Sequence, residues 1–302
     1  MRLSTLRLTA PRVNRQIWRD LDLLHPKIRR CVSLAVFVIG MGAMVLAPLH
    51  AQTYPTRILG PLDAAVPVPQ NIPSTGTKDA NALQEVLSFL TATVPGSWKG
   101  MQGTGTIILP NGSATEQGSA TLTVLNGDAY RLDINAPDGQ RSIRIDGING
   151  QILDADGKQH ALPIATALDG LVAFPFLFTQ SLTDPTISVI DRGAVTIDGQ
   201  SLHRLTVVRP IFPSAPASWV STVDLYFNTT THLLEKSAAS VQIDGADPEF
   251  YVQVVTYGDY RAVGTVMLPF SYQQTLNGQM QWTLQLASIQ LAPAVDASYF
   301  AF

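Results

Sequence analysis

The chain has 302 residues, of which 46% are hydrophobic and 14% are charged. This composition can bury a large core, and it excludes an intrinsically disordered chain. The formal net charge of −3 is unevenly distributed, because residues 1–30 carry eight basic and two acidic side chains and the remainder carries 12 basic and 21 acidic ones. The negative charge of this remainder repels the phosphates of nucleic acids, and nucleic acid is therefore not expected as a partner.

The first predicted element is a secretory signal. The basic stretch runs directly into an apolar segment, residues 32–48, which is followed by Leu49-His50-Ala51-Gln52. This order predicts a signal peptide over residues 1–51 that is cleaved between Ala51 and Gln52, and an exported, periplasmic protein. The alternative is an uncleaved inner-membrane anchor through residues 32–48, which are at the short limit for a spanning helix. The membrane would then be contacted only through this segment.

The single cysteine, Cys31, precedes the apolar segment rather than following it. The mature chain is therefore expected to have neither a disulfide bond nor an acylated cysteine at its start. Its stability must come from packing.

Residues 52–77 contain five prolines and are predicted to form a tether, followed by a single domain over residues 78–302. A helix is expected over residues 79–93, with Asp79 as its N-cap and Pro95-Gly96 beyond its end. Its predicted inward face consists of Ala80, Leu83, Val86, Leu87, Leu90 and Val94.

From residue 98 onward, apolar and polar residues alternate with period two, as in strands that have one buried and one wet face. Asn-Gly or Asp-Gly pairs separate these runs and favour type I′ hairpin turns. Nine such pairs lie between the alternating runs: Asn111-Gly112, Asn126-Gly127, Asp138-Gly139, Asp146-Gly147, Asn149-Gly150, Asp156-Gly157, Asp198-Gly199, Asp244-Gly245 and Asn277-Gly278. They predict an antiparallel meander.

Residues 162–182 interrupt the alternation with a nearly continuous apolar stretch, in which Pro175 kinks or ends any helix. Its apolar side chains are ordinary core or the lining of a ligand pocket, and the residue types suit both. The candidate ligand-binding residues are Leu168, Leu171, Val172, Phe174, Phe176, Leu177 and Phe178.

A long meander with one apolar face must curl to bury that face. The predicted fold is mainly β with helices (α+β): an antiparallel incomplete barrel of about ten or more strands, wrapped around a helical lid or plug.

The C-terminal third resembles the closing hairpins of the periplasmic lipoprotein-sorting (LolA/LolB-like) carriers. The resemblance rests on residues 257–264, Leu268-Pro269-Phe270, Asn277-Gly278, Ile289, Asp296 and Phe300, together with Trp98-Lys99-Gly100 and Gly103-Thr104-Gly105 near the first strand. It implies an open barrel that holds acyl chains beneath a helical lid, with residues 162–182 as that lid. The implied partner is an acyl chain, a lipid or a lipoprotein.

No residue pattern indicates an enzyme, a cofactor or a metal site. His160, His203 and His232 each stand alone, without a second histidine or a cysteine at metal-ligand spacing. Two functions therefore compete: a periplasmic carrier of an acyl chain, and a non-enzymatic envelope scaffold with a filled barrel that binds another protein. A hydrolase with an unfamiliar site ranks third.

Overall fold

The computed structural model describes residues 76–93, 99–125, 129–170, 174, 182–211, 220–241 and 250–300. All of them belong to one compact unit, Arg57–Phe302. The predicted signal peptide, its cleavage site between Ala51 and Gln52, and the prolines of the predicted tether lie outside these residues. Within the described ranges, no helix has the length and apolar character needed to cross a membrane.

The described residues form thirteen strands and two α-helices. The helices are α1 (Ala80–Thr93) and α2 (Ile164–Gly170), and a 3₁₀ turn spans Ala297–Phe300. The strands are β1 (Gly100–Asn111), β2 (Ala114–Leu125), β3 (Ala129–Ala136), β4 (Gly139–Asp146), β5 (Asn149–Leu153), β6 (Gln159–Ala161), β7 (Ser188–Ile197), β8 (Gln200–Pro210), β9 (Val220–Asn228), β10 (Leu234–Val241), β11 (Tyr251–Val263), β12 (Val266–Leu276) and β13 (Gln279–Leu291).

All thirteen strands lie in one antiparallel sheet with the order β6-β5-β4-β3-β2-β1-β13-β12-β11-β10-β9-β8-β7. The pairing of β1 with β13 joins two meanders, one from each half of the domain. Because β6 and β7 do not pair, the sheet remains open. The expected architecture, an incomplete antiparallel barrel around a helix, is confirmed.

The Asn-Gly and Asp-Gly pairs make several of the predicted turns. At Asp198-Gly199 the φ values are 52° and 78°, and at Asn277-Gly278 they are 47° and 78°, as a type I′ turn requires. The prediction is wrong for Asn149-Gly150, which lies within β5. Asp146 ends β4 and pairs with Asn149, so Gly147 and Ile148 form that turn, and the Gly150 carbonyl oxygen accepts a hydrogen bond from the Leu162 amide. A methyl group on Gly150 would lie 3.0 Å from Leu162 and Ala167, so the small residue lets α2 approach the sheet.

Helix α1 packs on the concave face of the sheet. Ala82, Val86 and Phe89 are buried, and the Phe89 ring lies 5.5 Å from that of Phe227 in β9. The helix begins close to the predicted residue, and its predicted inward face is confirmed at Val86, which is buried, and at Leu90, which packs against the core. It is wrong at Ala80 and Leu87, which are exposed, and it omitted the charged Glu85, which is only 8% exposed. Glu85 is buried because it has polar partners on the sheet.

The segment before α1 is fastened to β7. The Val189 amide donates to the Thr77 carbonyl (2.7 Å), and Lys78 and Val189 form a parallel bridge. The Asp79 carboxylate accepts a hydrogen bond from the Asp191 amide (3.0 Å). The last residues of the predicted tether therefore pair with the sheet, which fixes the start of α1.

Candidate functional site

A cavity of about 260 Å³ lies on the concave side of the sheet. Strands from both halves of the domain line it, together with α2 and Phe174. The lining residues are Tyr130, Leu132, Ile143, Ile145, Ile152, Leu162, Thr166, Phe174, Val241, Gln253, Gln274, Leu276, Gln281 and Trp282. Its volume is slightly below the roughly 300 Å³ at which small-molecule pockets usually begin.

One wall of the cavity is apolar because of strand alternation. Leu132 in β3 and Ile143 and Ile145 in β4 point to the concave face, and their neighbours in sequence point outward. Ile152 extends this wall into β5. The wall therefore presents branched aliphatic side chains to the cavity.

The opposite wall combines apolar residues with three amides. Gln253 and Gln274 occupy inward positions of β11 and β12, between buried aromatic and aliphatic residues. Gln281 lies at a bulge, where the pairing moves from Gln274–Trp282 to Thr275–Met280. A bulge redirects a side chain that strict alternation would place on the other face. These amides can hydrogen-bond the polar end of a mostly apolar ligand.

Phe174 covers part of the cavity and also contacts a close-packed wall. Its ring centroid is 4.6 Å from that of Tyr130 and 5.6 Å from that of Tyr272, and the side chain is 1% exposed. Tyr257 continues this aromatic group at 6.0 Å from Tyr272. Burial raises the pKa of Tyr130, Tyr257 and Tyr272, so all three hydroxyls stay neutral and add no charge to the cavity wall.

Of the seven predicted ligand-binding residues, Leu168 and Phe174 are described. Leu168 is buried in the main hydrophobic core, and its carbonyl accepts a hydrogen bond from the Arg209 guanidinium. Phe174 lines the cavity. Leu171, Val172, Phe176, Leu177 and Phe178 lie outside the described residues.

A polar cluster joins α1 to the sheet. The Glu85 carboxylate lies 3.1 Å from His203 Nδ1 and 2.9 Å from His232 Nδ1, and the other ring nitrogen of His203 lies 2.8 Å from Asp191 Oδ1. Two histidines that are 29 residues apart in sequence thus share one carboxylate. Because the two histidines are so far apart in sequence, no residue pattern predicted that they would share this carboxylate. Among the described residues, no group of histidine and acidic side chains is arranged to hold a metal ion.

The charges of this cluster are mutually dependent. Burial lowers the pKa of His203, but its hydrogen bonds to Glu85 and Asp191 outweigh burial and raise it overall. The hydrogen bond from His203 in turn lowers the pKa of Asp191. A doubly protonated His203 donates to both carboxylates, which explains how a charged residue occupies the inward face of α1.

Comparison with known proteins yields structural likenesses. No protein-family model and no curated protein sequence matches the chain. Among solved structures, it is similar to a LolA superfamily protein from Nitrosomonas europaea, with 12% identity and a TM-score of 0.48 over 73% of this chain and 97% of that one. It is also similar to a putative outer membrane lipoprotein-sorting protein domain from Vibrio parahaemolyticus, with 11% identity and a TM-score of 0.45 over 73% and 95% of the two chains.

A third similar structure is a DUF1329 family protein from Desulfovibrio piger, with 8% identity and a TM-score of 0.45 over 73% of this chain and 95% of that one.

Proposed function

We propose that the protein is a non-enzymatic carrier or binding protein of the cell envelope that holds an acyl chain, from a lipid or a lipoprotein, on the concave side of its sheet. The observation that carries this proposal is the cavity between Ile143, Ile145 and Ile152 on one wall and Leu276 and Trp282 on the other. The aliphatic and aromatic side chains of these walls favour an apolar occupant over water.

The size of the cavity is compatible with the proposed ligand. At about 260 Å³ it accommodates part of an acyl chain. The amides of Gln253, Gln274 and Gln281 suit an ester, an amide or a carboxylic acid at the end of the chain. A neutral lining with a few amide groups binds amphiphiles without requiring a fixed charge on the ligand.

The proposed location follows from the N-terminal sequence. Residues 1–51 act as a signal peptide, and cleavage between Ala51 and Gln52 releases a chain that begins with the proline-rich tether, residues 52–77. N-terminal sequencing of the exported protein is expected to begin at Gln52. A chain that starts at Met1 would instead indicate an inner-membrane anchor through residues 32–48.

Mass spectrometry of the protein purified from its own periplasm without detergent tests the function. We expect organic extracts to contain one acyl-bearing lipid species in stoichiometric amount, and native spectra to show its added mass. A protein free of lipid that also fails to bind a fluorescent fatty acid would rule out the carrier function.

The aromatic group around Phe174 favours a second candidate, the envelope scaffold. Phe174, Tyr257 and Tyr272 are each at most 1% exposed and form a solid wall beside the cavity. If the cavity stays empty in the purified protein while a periplasmic protein copurifies in fixed ratio, the scaffold function is favoured.

A further inference from the structure

The convex face of β2, β3 and β4 carries a second pocket, separate from the acyl-chain cavity. Its volume is about 340 Å³, and three arginines and one aspartate line it together with several hydroxyl and amide side chains. The polar lining residues are Ser119, Thr121, Arg131, Asp133, Asn135, Gln140, Arg141, Ser142 and Arg144. Since Leu132 and Ile143 point to the concave face, Arg131, Ser142 and Arg144 point to the opposite one.

Two arginines stand directly opposite each other in this pocket. Arg131 of β3 pairs in register with Arg144 of β4, and like charges in such positions repel. The Asp133 carboxylate accepts a 2.8 Å hydrogen bond from Arg131 Nε. Arg141, which is paired with Asp138, also contributes to the lining. The lining thus contains three arginines and one aspartate, whereas acidic residues outnumber basic ones in the chain after residue 30.

The Arg131 side chain is held in place before any ligand arrives. Its guanidinium carbon lies 4.4 Å from the centre of the Tyr299 ring, and Nη1 donates to the Tyr299 carbonyl (2.9 Å). The Tyr299 hydroxyl donates to Asp133 (3.0 Å). The C-terminal 3₁₀ turn thus fixes the orientation of one guanidinium, which reduces the entropy lost when an anion binds.

Ser142 provides an independent indication of a ligand. This side chain is 3% exposed, and its hydroxyl makes no hydrogen bond to any described residue. A buried hydroxyl without a partner is costly, and an unseen water or ion is a usual reason for one. Thr121, Asp133 and Ser142 form one row across the three strands with Asp133 in the middle, and this row lies beside that of Arg131 and Arg144 on the same face.

We propose that this pocket binds a phosphate group. A carboxylate offers two oxygens and one charge, whereas a phosphate group offers at least three oxygens and up to two charges, which matches several arginine donors and nearby hydroxyls. The source is either a soluble phosphorylated compound or a phospholipid headgroup. The acidity of the chain argues against an extended polyanion, and a single phosphate on a local arginine cluster is compatible with it.

The test is calorimetric titration of the full mature protein with inorganic phosphate, at constant ionic strength maintained with chloride. We expect saturable binding that Arg144→Gln weakens by at least about tenfold, since hydrogen bonds to charged groups are worth that much. Ser142→Ala should weaken binding without lowering the unfolding temperature, because its hydroxyl has no partner to lose. Arg261→Gln is the matched control: Arg261 is paired with Asp259 and lies outside the pocket.

Cosedimentation with vesicles separates the two sources. If the protein binds vesicles that contain phosphatidic acid but not pure phosphatidylcholine vesicles, and Arg144→Gln abolishes this binding, the source is a phospholipid headgroup. If the protein binds phosphate but no vesicles, the source is a soluble phosphorylated compound. The absence of phosphate binding would overturn the proposal, as would equal weakening by Arg261→Gln or unchanged affinity in both pocket variants. If Arg144→Gln does not fold, Ser142→Ala decides.

Discussion

At the residue scale, Phe174 combines two environments that sequence reasoning treats as alternatives. Truncating an aromatic residue that contacts only ligand would lower the free energy of unfolding of the protein by about 1 kcal/mol, and truncating one in a close-packed wall would lower it by about 3–5 kcal/mol. Phe174 lines the cavity and also packs against Tyr130 and Tyr272. Its contribution to stability is therefore expected to be large whether or not a ligand is bound.

Phe174→Ala is expected to lower the free energy of unfolding of the lipid-free protein by about 3 kcal/mol, because two ring contacts are lost and the cavity grows. Denaturant unfolding measures this. Phe174→Leu is the control and should cost only about 1 kcal/mol. A loss below about 1 kcal/mol for the alanine variant would show that the ring does not pack as described.

His203 makes stability depend on pH. Its pKa is raised, so its contribution is complete below the ordinary histidine pKa of about 6.5 and is lost as the pH rises through the raised value. The pKa of Asp191 is lowered, so its contribution is complete above about pH 4 and is lost as the pH falls through the lowered value. Stability from this pair is therefore greatest between about pH 4 and pH 6.5.

His203→Gln should destabilise the protein at about pH 6, and its deficit relative to wild type should shrink at alkaline pH. His160→Gln is the matched control, since His160 is exposed and, within the described residues, forms an ion pair with Asp154 alone. Urea unfolding across this pH range measures both variants. A deficit for His203→Gln that does not change with pH would contradict the charged state assigned to the cluster.

At the element scale, period-two alternation predicted the strands well where one face lies on the core, as in β3. It is a weaker guide for β6, which is exposed throughout, and for β9, which is buried on both faces. The inward face of α1 could not be predicted in the same way. Glu85 is buried because His203 and His232, 118 and 147 residues away, supply its partners. Gln253 and Gln274 could have been recognised as polar residues on an apolar strand face, whereas Gln281 depends on a bulge that shifts the register.

The pairing of β1 with β13, which joins the two meanders, depends on glycine at one position in particular. A methyl group on Gly105 would lie 2.1 Å from the Gln285 carbonyl oxygen, at the point where the register of the two strands shifts. A methyl group on Gly103 would instead meet the Leu286 side chain at 2.8 Å, and that side chain can move.

Gly105→Ala should therefore lower the free energy of unfolding by about 2 kcal/mol or more, and Gly103→Ala by clearly less. Thermal unfolding of the two variants, which make the same chemical change two residues apart, measures the difference. Equal losses would mean that the strands can separate at Gly105 without cost.

At the scale of the whole molecule, the open sheet brings the aliphatic wall of β3–β5 opposite the end of β12 and the start of β13, and the cavity lies between these strands. The sequence predicted an open barrel around apolar helical residues. It could not predict which side chains would meet across the cavity, because that depends on the curvature of a sheet whose two halves are far apart in the chain.

The most direct test of the proposed function is to fill this cavity. Ile152 points into it, and the adjacent Gln151 points to the opposite face of β5. Calorimetric titration with a long-chain fatty acid should show saturable binding to the wild type and to Gln151→Phe, and at least about tenfold weaker binding to Ile152→Phe. Equal affinity of the two variants, or no binding by the wild type, would contradict the assignment of this cavity as the acyl-chain site.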